Sequence, residues 1–370
     1  MSGGDGLFEV DPAAVVEPQT APTVPVKKTF RVFVPDQMML LPPSLDEWLP
    51  QDHLARFVAE LVDEVLDLAP ILASYTEKRG FPPYDPRLMV QLLIYGYTTG
   101  VRSSRAIERK YTDDVVFRYL AAGASPDYRS ISRFRARHLD ALAGIFTQSL
   151  HLAQRNAAAL AMDLLRQDRN PGIRDSTKLG AAQNSDGAYI QAYNAQAVVD
   201  GAHQIITAAD VTTNPSDVLN YTMMLDQSAA NTGIHPKQAL VDAGYCSEAN
   251  LAAAADRKEE HGTDTFMATG RLTHDEQVSA APRGRIPQDA TARERMARKL
   301  RTKPGRAAYS RRKAIVEPVF GQIMTCQDGR ELLLRGANGA RGEWRLLAAC
   351  HNLRKIFRYA GTAGLAAARA

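Results

Sequence analysis

The 370-residue sequence has only three cysteines, Cys246, Cys326 and Cys350, and no Cys-x-x-Cys pair. It therefore lacks the ligand spacing of a zinc site and the cysteine framework of a disulfide-rich protein, and a reducing compartment is expected. Long apolar runs are also missing, since none reaches the roughly 18 residues of a membrane-spanning helix. The first residues, MSGGDGLFEVDP, have no basic stretch followed by an apolar one, so no secretory signal is predicted. We therefore expect a cytoplasmic protein with an internal partner and no membrane partner.

A large excess of charge of one sign is missing from the chain as a whole. Lys and Arg number 45 against 41 Asp and Glu, which leaves a formal charge of +4. The positive charge is concentrated in residues 283–313, where twelve Lys or Arg residues accompany only two acids. Contact with phosphates explains such a block, because basic side chains displace the counterions of a nucleic acid. The alternative is a solvated helix face.

Hydrophobic periodicity divides the chain into three parts. Residues 1–29, rich in Gly and Pro, are predicted to form a flexible arm. Residues 30–158 form the second part, and from His53 to about residue 158 it carries apolar residues at spacings of three and four, which predicts a helical domain. One of its helices is expected to begin at Asp85 and end at Gly100, and the stretch after SPDYRSIS is expected to form one long helix. Residues 159–362 mix strand and helix patterns, which predicts an α/β or α+β domain with a mixed sheet.

Strand signals in the last part are specific. AYIQAYNAQAVVD and QIITAADVTT alternate around the turn DGAH and predict a hairpin. QALVDAG reads as a buried strand, SEANLAAAADRK as a helix and DTFMATG as a further strand.

A second basic set, Arg129, Arg133, Arg135, Arg137 and His138, follows SPDYRSIS. Arg133 and Arg137 are four residues apart and share one face of the predicted helix. A helix–turn–helix whose later helix contacts DNA fits this pattern.

Two carboxylates occupy positions that matter chemically. Asp242 follows the strand QALV, at the strand end where ligands gather in open sheets; the alternative is that Asp242 or Ser247 caps the next helix. Glu317 stands among apolar residues before Pro318, and we expect it on an apolar helix face. A carboxylate in such a place costs free energy, and costs of this kind tend to be retained at functional sites. The alternative is a salt bridge to Arg311 or Arg312. Carboxylates that converge beside a phosphate-binding surface would bind Mg²⁺.

Several motifs resemble those of a known family. GFPPYDPRLMVQLLIYGYTTGVRSSRAIERK, FRYLAAG and SPDYRSISRFRARHL are similar to an InsH-type N-terminal domain. GAYIQAYNAQAVVD, LVDAGYCSEANL, RKLRTKPGRAAYSRRKAIVEPVFGQI and LLRGANGARGEWRLLAACHNLRKIF are similar to a catalytic domain. In this order they resemble bacterial insertion-sequence transposases of the DDE type, in the IS-five and IS-eleven-eighty-two group.

The resemblance implies an RNase H-like catalytic domain behind a helical DNA-binding domain. It also implies three carboxylates that bind two Mg²⁺ or Mn²⁺ ions for DNA cleavage and strand transfer, by a homo-oligomer on transposon ends and target DNA at the nucleoid. DAGY implies Asp242 as the second catalytic aspartate and VEPVFGQ implies Glu317 as the glutamate. Tyr309 and Arg312 match the Tyr-x-x-Arg element of the family, and Lys313 adds to the expected DNA-binding residues. Met324 replaces the lysine expected seven residues after the glutamate.

The first catalytic aspartate is ambiguous in this sequence. RDSTKLGAAQNS offers Asp175, but RQDRNPGI before it is a poor strand and the distance to YNAQ is short for the group. A second possibility is that a block with this aspartate has been lost between about 153 and 170. Asp163, in a run that looks helical, is the third. Without a third carboxylate the protein would be a catalytically inactive DNA-binding remnant.

Overall fold

The computed structural model describes residues 44–76, 82–159, 172–175, 181–183, 189–191, 193–270, 281 and 284–365, and for 157–191 it describes the backbone alone. The predicted arm at 1–29 lies outside the described residues. No helix in the described part of the chain is long and apolar enough to cross a membrane. The helices are α1 Leu45–Trp48, α2 Leu54–Glu60, α3 Ala69–Leu72, α4 Pro86–Thr99, α5 Ser104–Asp113, α6 Val115–Leu120, α7 Tyr128–Arg137, α8 Leu139–Ala159, α9 Tyr221–Thr232, α10 Glu248–His261, α11 Ala292–Arg301, α12 Lys303–Cys326 and α13 Gly336–Ala360.

Helix α4 shows how the sequence sets local structure in the helical part. The Asp85 carboxylate accepts a hydrogen bond from Arg87 N, and Pro86 occupies the first turn, where no backbone donor is needed. Gly100 ends the helix with φ of +83°, a left-handed conformation that favours glycine. The predicted bounds of this helix are therefore confirmed.

The stretch after SPDYRSIS forms two helices, so the expectation of one long helix is wrong. His138 lies between α7 and α8 with φ of −111° and ψ of 25°, outside helical geometry. Its ring packs 4.7 Å from that of Phe134 and 5.6 Å from that of Tyr75, and its Nε2 lies 3.2 Å from the Tyr75 hydroxyl. A tertiary contact with a distant tyrosine accompanies this break, and local sequence carries no signal of it.

Within the described residues the strands form one five-stranded mixed sheet and one two-stranded sheet. The large sheet has the order β5-β4-β1-β6-β7, and the small one pairs β2 with β3. Strand β1 lies between β4, to which it is antiparallel, and β6, to which it is parallel. The bounds are β1 Gly172–Asp175, β2 Ala181–Gln183, β3 Tyr189–Gln191, β4 Asn194–Val199, β5 Ile206–Thr212, β6 Gln238–Val241 and β7 Asp264–Met267. Strands β4 and β5 form the predicted hairpin, but the first predicted strand, AYIQAYNAQAVVD, is divided between β3 in the small sheet and β4 in the large one. Strand β6 is the predicted buried strand.

Helices cover both faces of the large sheet. Ala197 and Leu240 belong to an apolar cluster with residues of α12 and α13, whereas Val198 and Val241 belong to a second cluster with residues of α9 and α10. This division follows from the alternation of side chains along a strand. The first cluster also includes apolar residues of α2, α4 and α8, so one core continues from the helical part to the sheet. The boundary expected near residues 158 and 159 stays a prediction.

A buried ion pair connects the helical part with α13. Glu343 is fully buried and its Oε1 accepts from Arg102 Nη1 at 3.1 Å and from the Tyr97 hydroxyl at 2.9 Å. Its Oε2 accepts from the backbone N of Leu333 and Leu334 at 2.6 and 2.8 Å. Both oxygens are thus satisfied, as a charge without access to water requires.

Candidate active site

Asp242 lies where β6 ends. Its Oδ1 accepts from Ala243 N at 2.7 Å and so caps a short 3-10 turn, Ala243–Tyr245. Its Oδ2 accepts from Arg312 Nη1 at 3.2 Å, and 35% of its side chain is exposed. The helix α10 has its own cap, since Asn250 N donates to the Ser247 hydroxyl at 3.1 Å. Asp242 therefore does not cap that helix, and part of its carboxylate faces solvent.

The end of β1 lies beside the end of β6. In the parallel register Ile173 pairs with Val241, and in the antiparallel register Asp175 pairs with Gln196. Asp175 is the last residue of β1, and its side chain lies outside the described residues. Asp163 lies in 160–171, which is also outside them. The backbone thus brings Asp175 and Asp242 to the same end of two neighbouring strands.

Glu317 lies on α12, which packs against β1 and β6. The expectation that it occupies an apolar helix face is wrong, because Glu317 is exposed. The apolar face belongs to neighbours at helical spacing, among them Val316, Val319 and Phe320. The helix continues through Pro318, which is exposed as well. Glu317 is thus an accessible carboxylate on the helix that covers β1 and β6.

Arg312 connects α12 to Asp242. Only 8% of Arg312 is exposed, and its guanidinium lies 5.6 Å from the centroid of the Tyr309 ring. Among the described residues no hydrogen-bond partner is found for Arg312 Nε. Burial raises the pKa of Tyr309 to about 12, although the Arg312 charge opposes the change. The phenol therefore stays protonated at neutral pH, and the Nε donor of the buried arginine beside Asp242 has no partner within the described part of the chain.

The basic segment forms α11 and the first half of α12. Lys299 anchors α11 to β7, because its Nζ donates to Asp264 Oδ1 at 3.0 Å and to Thr265 O at 2.6 Å, and it lies 4.1 Å from the centroid of Phe266. The basic residues that remain exposed on these helices are Arg293, Arg295, Arg301, Lys303, Arg306, Arg311 and Lys313. We call this set the α11–α12 basic surface.

The second basic set is only partly on the surface. Arg133 and Arg137 are exposed on α7, as their spacing predicts. Arg137 Nη2 donates to Ser74 O at 2.7 Å, and its guanidinium lies 4.8 Å from the centroid of Tyr75. Arg135, by contrast, is buried and donates to the Tyr97 hydroxyl and to Arg102 O. Buried His138 leaves the exposed set too.

A buried polar cluster beside Asp242 was not predicted. The side chains of Asn194 and Gln196 on β4, Asp217, and Tyr245 in the turn after Asp242 are each at most 5% exposed. The Tyr245 hydroxyl donates to Gln196 Oε1. Gln196 Nε2 donates to Asn194 Oδ1 at 2.6 Å and to Asp217 Oδ1 at 3.2 Å. The only signal in the sequence is the pair of amides inside the otherwise apolar strand YNAQAVV.

The Asp242 carboxylate itself suits a hard divalent cation, because carboxylate oxygens are the ligands that Mg²⁺ prefers and this one lies at an accessible strand end. Among the described side chains, no group of three His, Cys, Asp or Glu residues lies close enough together to hold a metal ion. Asp242 and Glu317 belong to no such group of described side chains, and the Asp175 side chain lies outside the described residues.

Comparison with known protein families identifies the chain. A transposase domain (DUF772) matches residues 43–137, and a transposase DDE domain matches residues 166–353. The second match alone spans more than half of the chain. The chain belongs to the DDE transposase family. The two transposase domains indicate a DNA transposase, and members of this family generally use divalent metal ions. The DDE match includes Asp175, Asp242 and Glu317, and it begins after Asp163.

No curated protein and no solved structure matches the chain. The assignment to the IS-five and IS-eleven-eighty-two group stays a prediction.

Proposed function

We propose that this transposase cuts and joins DNA at the ends of an insertion sequence, with Asp175, Asp242 and Glu317 as its three catalytic carboxylates. The observation that carries the proposal is the strand order: β1 ends on Asp175 next to β6, which ends before Asp242. Helix α12 crosses these two strands and carries Glu317. We assign this mixed sheet, with helices on both faces, to the RNase H-like fold that the family implies.

Asp175 is the best of the three alternatives for the first aspartate. The GIRD segment forms the central strand of the sheet although RQDRNPGI is a weak strand sequence. Hydrogen bonds to a neighbouring strand on each side stabilise this strand, although its local sequence has low strand propensity. The DDE match begins at residue 166, which leaves Asp163 outside it. We therefore propose that the first aspartate has been retained rather than lost.

The three carboxylates would hold Mg²⁺ or Mn²⁺, and such ions, when bound, would activate the attacking oxygen and stabilise the leaving oxygen. In cleavage, a water oxygen forms a bond to phosphorus, the bond from phosphorus to the 3′ oxygen breaks, and a free 3′-hydroxyl results. In strand transfer, the oxygen of that hydroxyl forms a bond to a phosphorus of the target DNA and loses its proton. The bond from that phosphorus to its own 3′ oxygen breaks, and a 3′-hydroxyl is released on the target strand. Arg312 and Ala243 N hold the Asp242 carboxylate in place for both steps.

The α11–α12 basic surface is proposed to bind the phosphates of DNA. Lys313 lies one turn before Glu317, and Lys303 and Arg306 are exposed at the beginning of the same helix. Charge of one sign on the helix that carries a catalytic group brings the DNA backbone to that group. Buried Arg312 is proposed to contact a phosphate from inside the site.

Helix α7 is proposed as the DNA-reading helix of the N-terminal part, with Arg133 and Arg137 toward DNA. Arg133 is free of the Ser74 and Tyr75 contacts that hold Arg137, and we expect it to reach further from the helix. We further propose that the protein acts as a homo-oligomer on the DNA of the nucleoid, because two element ends must be joined in one event.

A second candidate is a DNA-binding remnant without catalytic activity. It is favoured by Met324, which stands where the family has a lysine. A methionine offers neither a charge nor a hydrogen-bond donor to a phosphate, so DNA would be held less firmly near Glu317.

Strand transfer with Mn²⁺ on the terminal repeats of the element distinguishes the two candidates. The wild-type chain is expected to join cleaved ends to target DNA, and Asp242→Asn is expected to lose joining while it keeps DNA binding. Asp256→Asn, an exposed aspartate on α10, is the matched control and should join as the wild type does. DNA binding without joining by the wild type would support the remnant instead.

A further inference from the structure

We propose that Gln196 and Tyr245 are positioning residues that fix the Asp242 carboxylate in the geometry for metal binding. The inference rests on the proposed function and adds residues outside the three carboxylates. Its basis is the buried polar cluster of Asn194, Gln196, Asp217 and Tyr245, which joins strand β4 to the turn after Asp242.

Three contacts hold the turn, two from the cluster and one from Asn250 on α10. The Tyr245 hydroxyl donates to Gln196 Oε1, and the Tyr245 carbonyl accepts from Asn250 Nδ2 at 2.7 Å. The Asp217 carboxylate closes the third side, since a Cβ on Gly244 would lie 2.5 Å from Asp217 Oδ2. The turn is thus held at the Tyr245 side chain, at the Tyr245 carbonyl and at Gly244, and these contacts together restrict it to one conformation.

This arrangement determines how Asp242 points. Ala243 N, the first donor of the turn, is hydrogen-bonded to Asp242 Oδ1, and Cys246 N closes the turn on Ala243 O at 3.1 Å. A shift of the turn therefore moves the donor that orients the carboxylate. Metal ligands must be held within about 0.5 Å of their working positions, and residues behind the ligands normally do this.

Gln196 is also connected with Asp175, the other candidate aspartate, by the pairing of their strands. It is the register partner of Asp175 across β1 and β4. One amide on β4 is thus paired by its backbone register with the end of β1 and by its side chain with the turn at the end of β6. No other residue of the cluster has both connections.

The polarity of the cluster argues for a geometric role. Fully buried amides and a buried carboxylate are less favourable than apolar side chains of similar size unless every partner is in place. The fixed partners also fix the orientation of the Gln196 amide, because its oxygen must face the Tyr245 hydroxyl and its nitrogen the Asp217 carboxylate. A fully satisfied polar network costs stability but specifies one arrangement.

The test compares two buried tyrosines, of which only Tyr245 belongs to the buried polar cluster beside Asp242. Tyr245→Phe removes the hydroxyl bonded to Gln196. Tyr221→Phe is the matched control, because Tyr221 is also fully buried, belongs to the same apolar cluster and shares a 2.8 Å hydrogen bond with Thr265 Oγ1. Both variants of the full chain lose one buried hydrogen bond, and a similar decrease in stability is expected.

The readouts are the Mn²⁺ dissociation constant from calorimetry and the amide hydrogen exchange of Ala243 and Cys246. Tyr245→Phe is expected to weaken Mn²⁺ binding about 10-fold and to accelerate both exchanges. Tyr221→Phe should leave both close to the wild type. Equal Mn²⁺ affinity in the two variants overturns the inference.

A second variant and the wild type keep the test decisive. Gly244→Ala is expected to weaken Mn²⁺ binding as well, because its Cβ displaces the turn from Asp217 while Tyr245 keeps its hydroxyl. Unchanged affinity in Gly244→Ala contradicts the inference even where Tyr245→Phe does not fold. Failure of the wild type to bind Mn²⁺ would overturn the proposed function instead. In that case hydrogen exchange still tests the inference, because unchanged exchange at Ala243 in Tyr245→Phe would show that Tyr245 does not anchor the turn.

Discussion

Glu343→Ala tests the continuous core most severely. In the wild type this buried carboxylate accepts four hydrogen bonds, from Tyr97, Arg102 and the backbone of Leu333 and Leu334. The substitution leaves the Arg102 guanidinium, of which only 3% is exposed, with carbonyl partners but no counterion close to Nη1.

The magnitude follows from that change. Removal of one partner from a buried ion pair costs about 3–5 kcal/mol. The two released amides add less than their full cost, since Leu333 is 40% exposed and water can reach its backbone. We therefore expect a decrease of about 4 kcal/mol in the free energy of unfolding.

Urea unfolding, followed by circular dichroism and by tryptophan fluorescence, measures this change. The two probes should move together in one transition, because the ion pair joins helices of the first part to α13. Glu331→Ala is the matched control: it removes an exposed glutamate from the same loop and should change stability by less than about 0.5 kcal/mol. A decrease below about 1 kcal/mol for Glu343→Ala, or separate transitions in the wild type, would refute the shared core.

Two further predictions concern pH and salt. His351 is buried and donates from Nε2 to Gln204 O, and burial lowers its pKa to about 3. As the pH falls below 6.5, His351 becomes protonated in the unfolded chain but stays neutral in the folded chain. The free energy of unfolding therefore decreases from about pH 7.5 toward pH 3. About 2 kcal/mol is lost by pH 5. His351→Gln should flatten this part of the stability profile, and an unchanged slope would contradict the assignment. Replacement of both Arg306 and Lys313 by Gln should reduce the slope of log affinity for DNA against log salt by about 2, and an unchanged slope in a filter-binding titration would remove these residues from the DNA surface.

Local signals in the sequence predict the elements whose ends are set locally. Asp85 and Gly100 mark helix α4 correctly, and the DGAH turn joins β4 to β5 as expected. The end of β6 at Asp242 also agrees with the strand pattern. These features depend on caps, turns and alternation within a few residues, which a single sequence displays.

Features that depend on distant partners could not be predicted. The helix break at His138 accompanies contacts with Tyr75, and the exposure of Glu317 depends on which face of α12 meets the sheet. The sequence shows the amides of YNAQ only as polar residues in a strand. Their role in a buried cluster depends on Asp217 and Tyr245, which are distant in sequence. In each case, a residue far away in sequence determines the environment.

The central claim is that Asp175 completes the catalytic site with Asp242 and Glu317. It is tested most directly by Mn²⁺-dependent joining of cleaved terminal repeats to target DNA by Asp175→Asn, with Asp163→Asn as the matched control. The account predicts that Asp175→Asn loses joining, as Asp242→Asn and Glu317→Gln do, while Asp163→Asn retains it. Joining by Asp175→Asn at the wild-type rate would contradict the account.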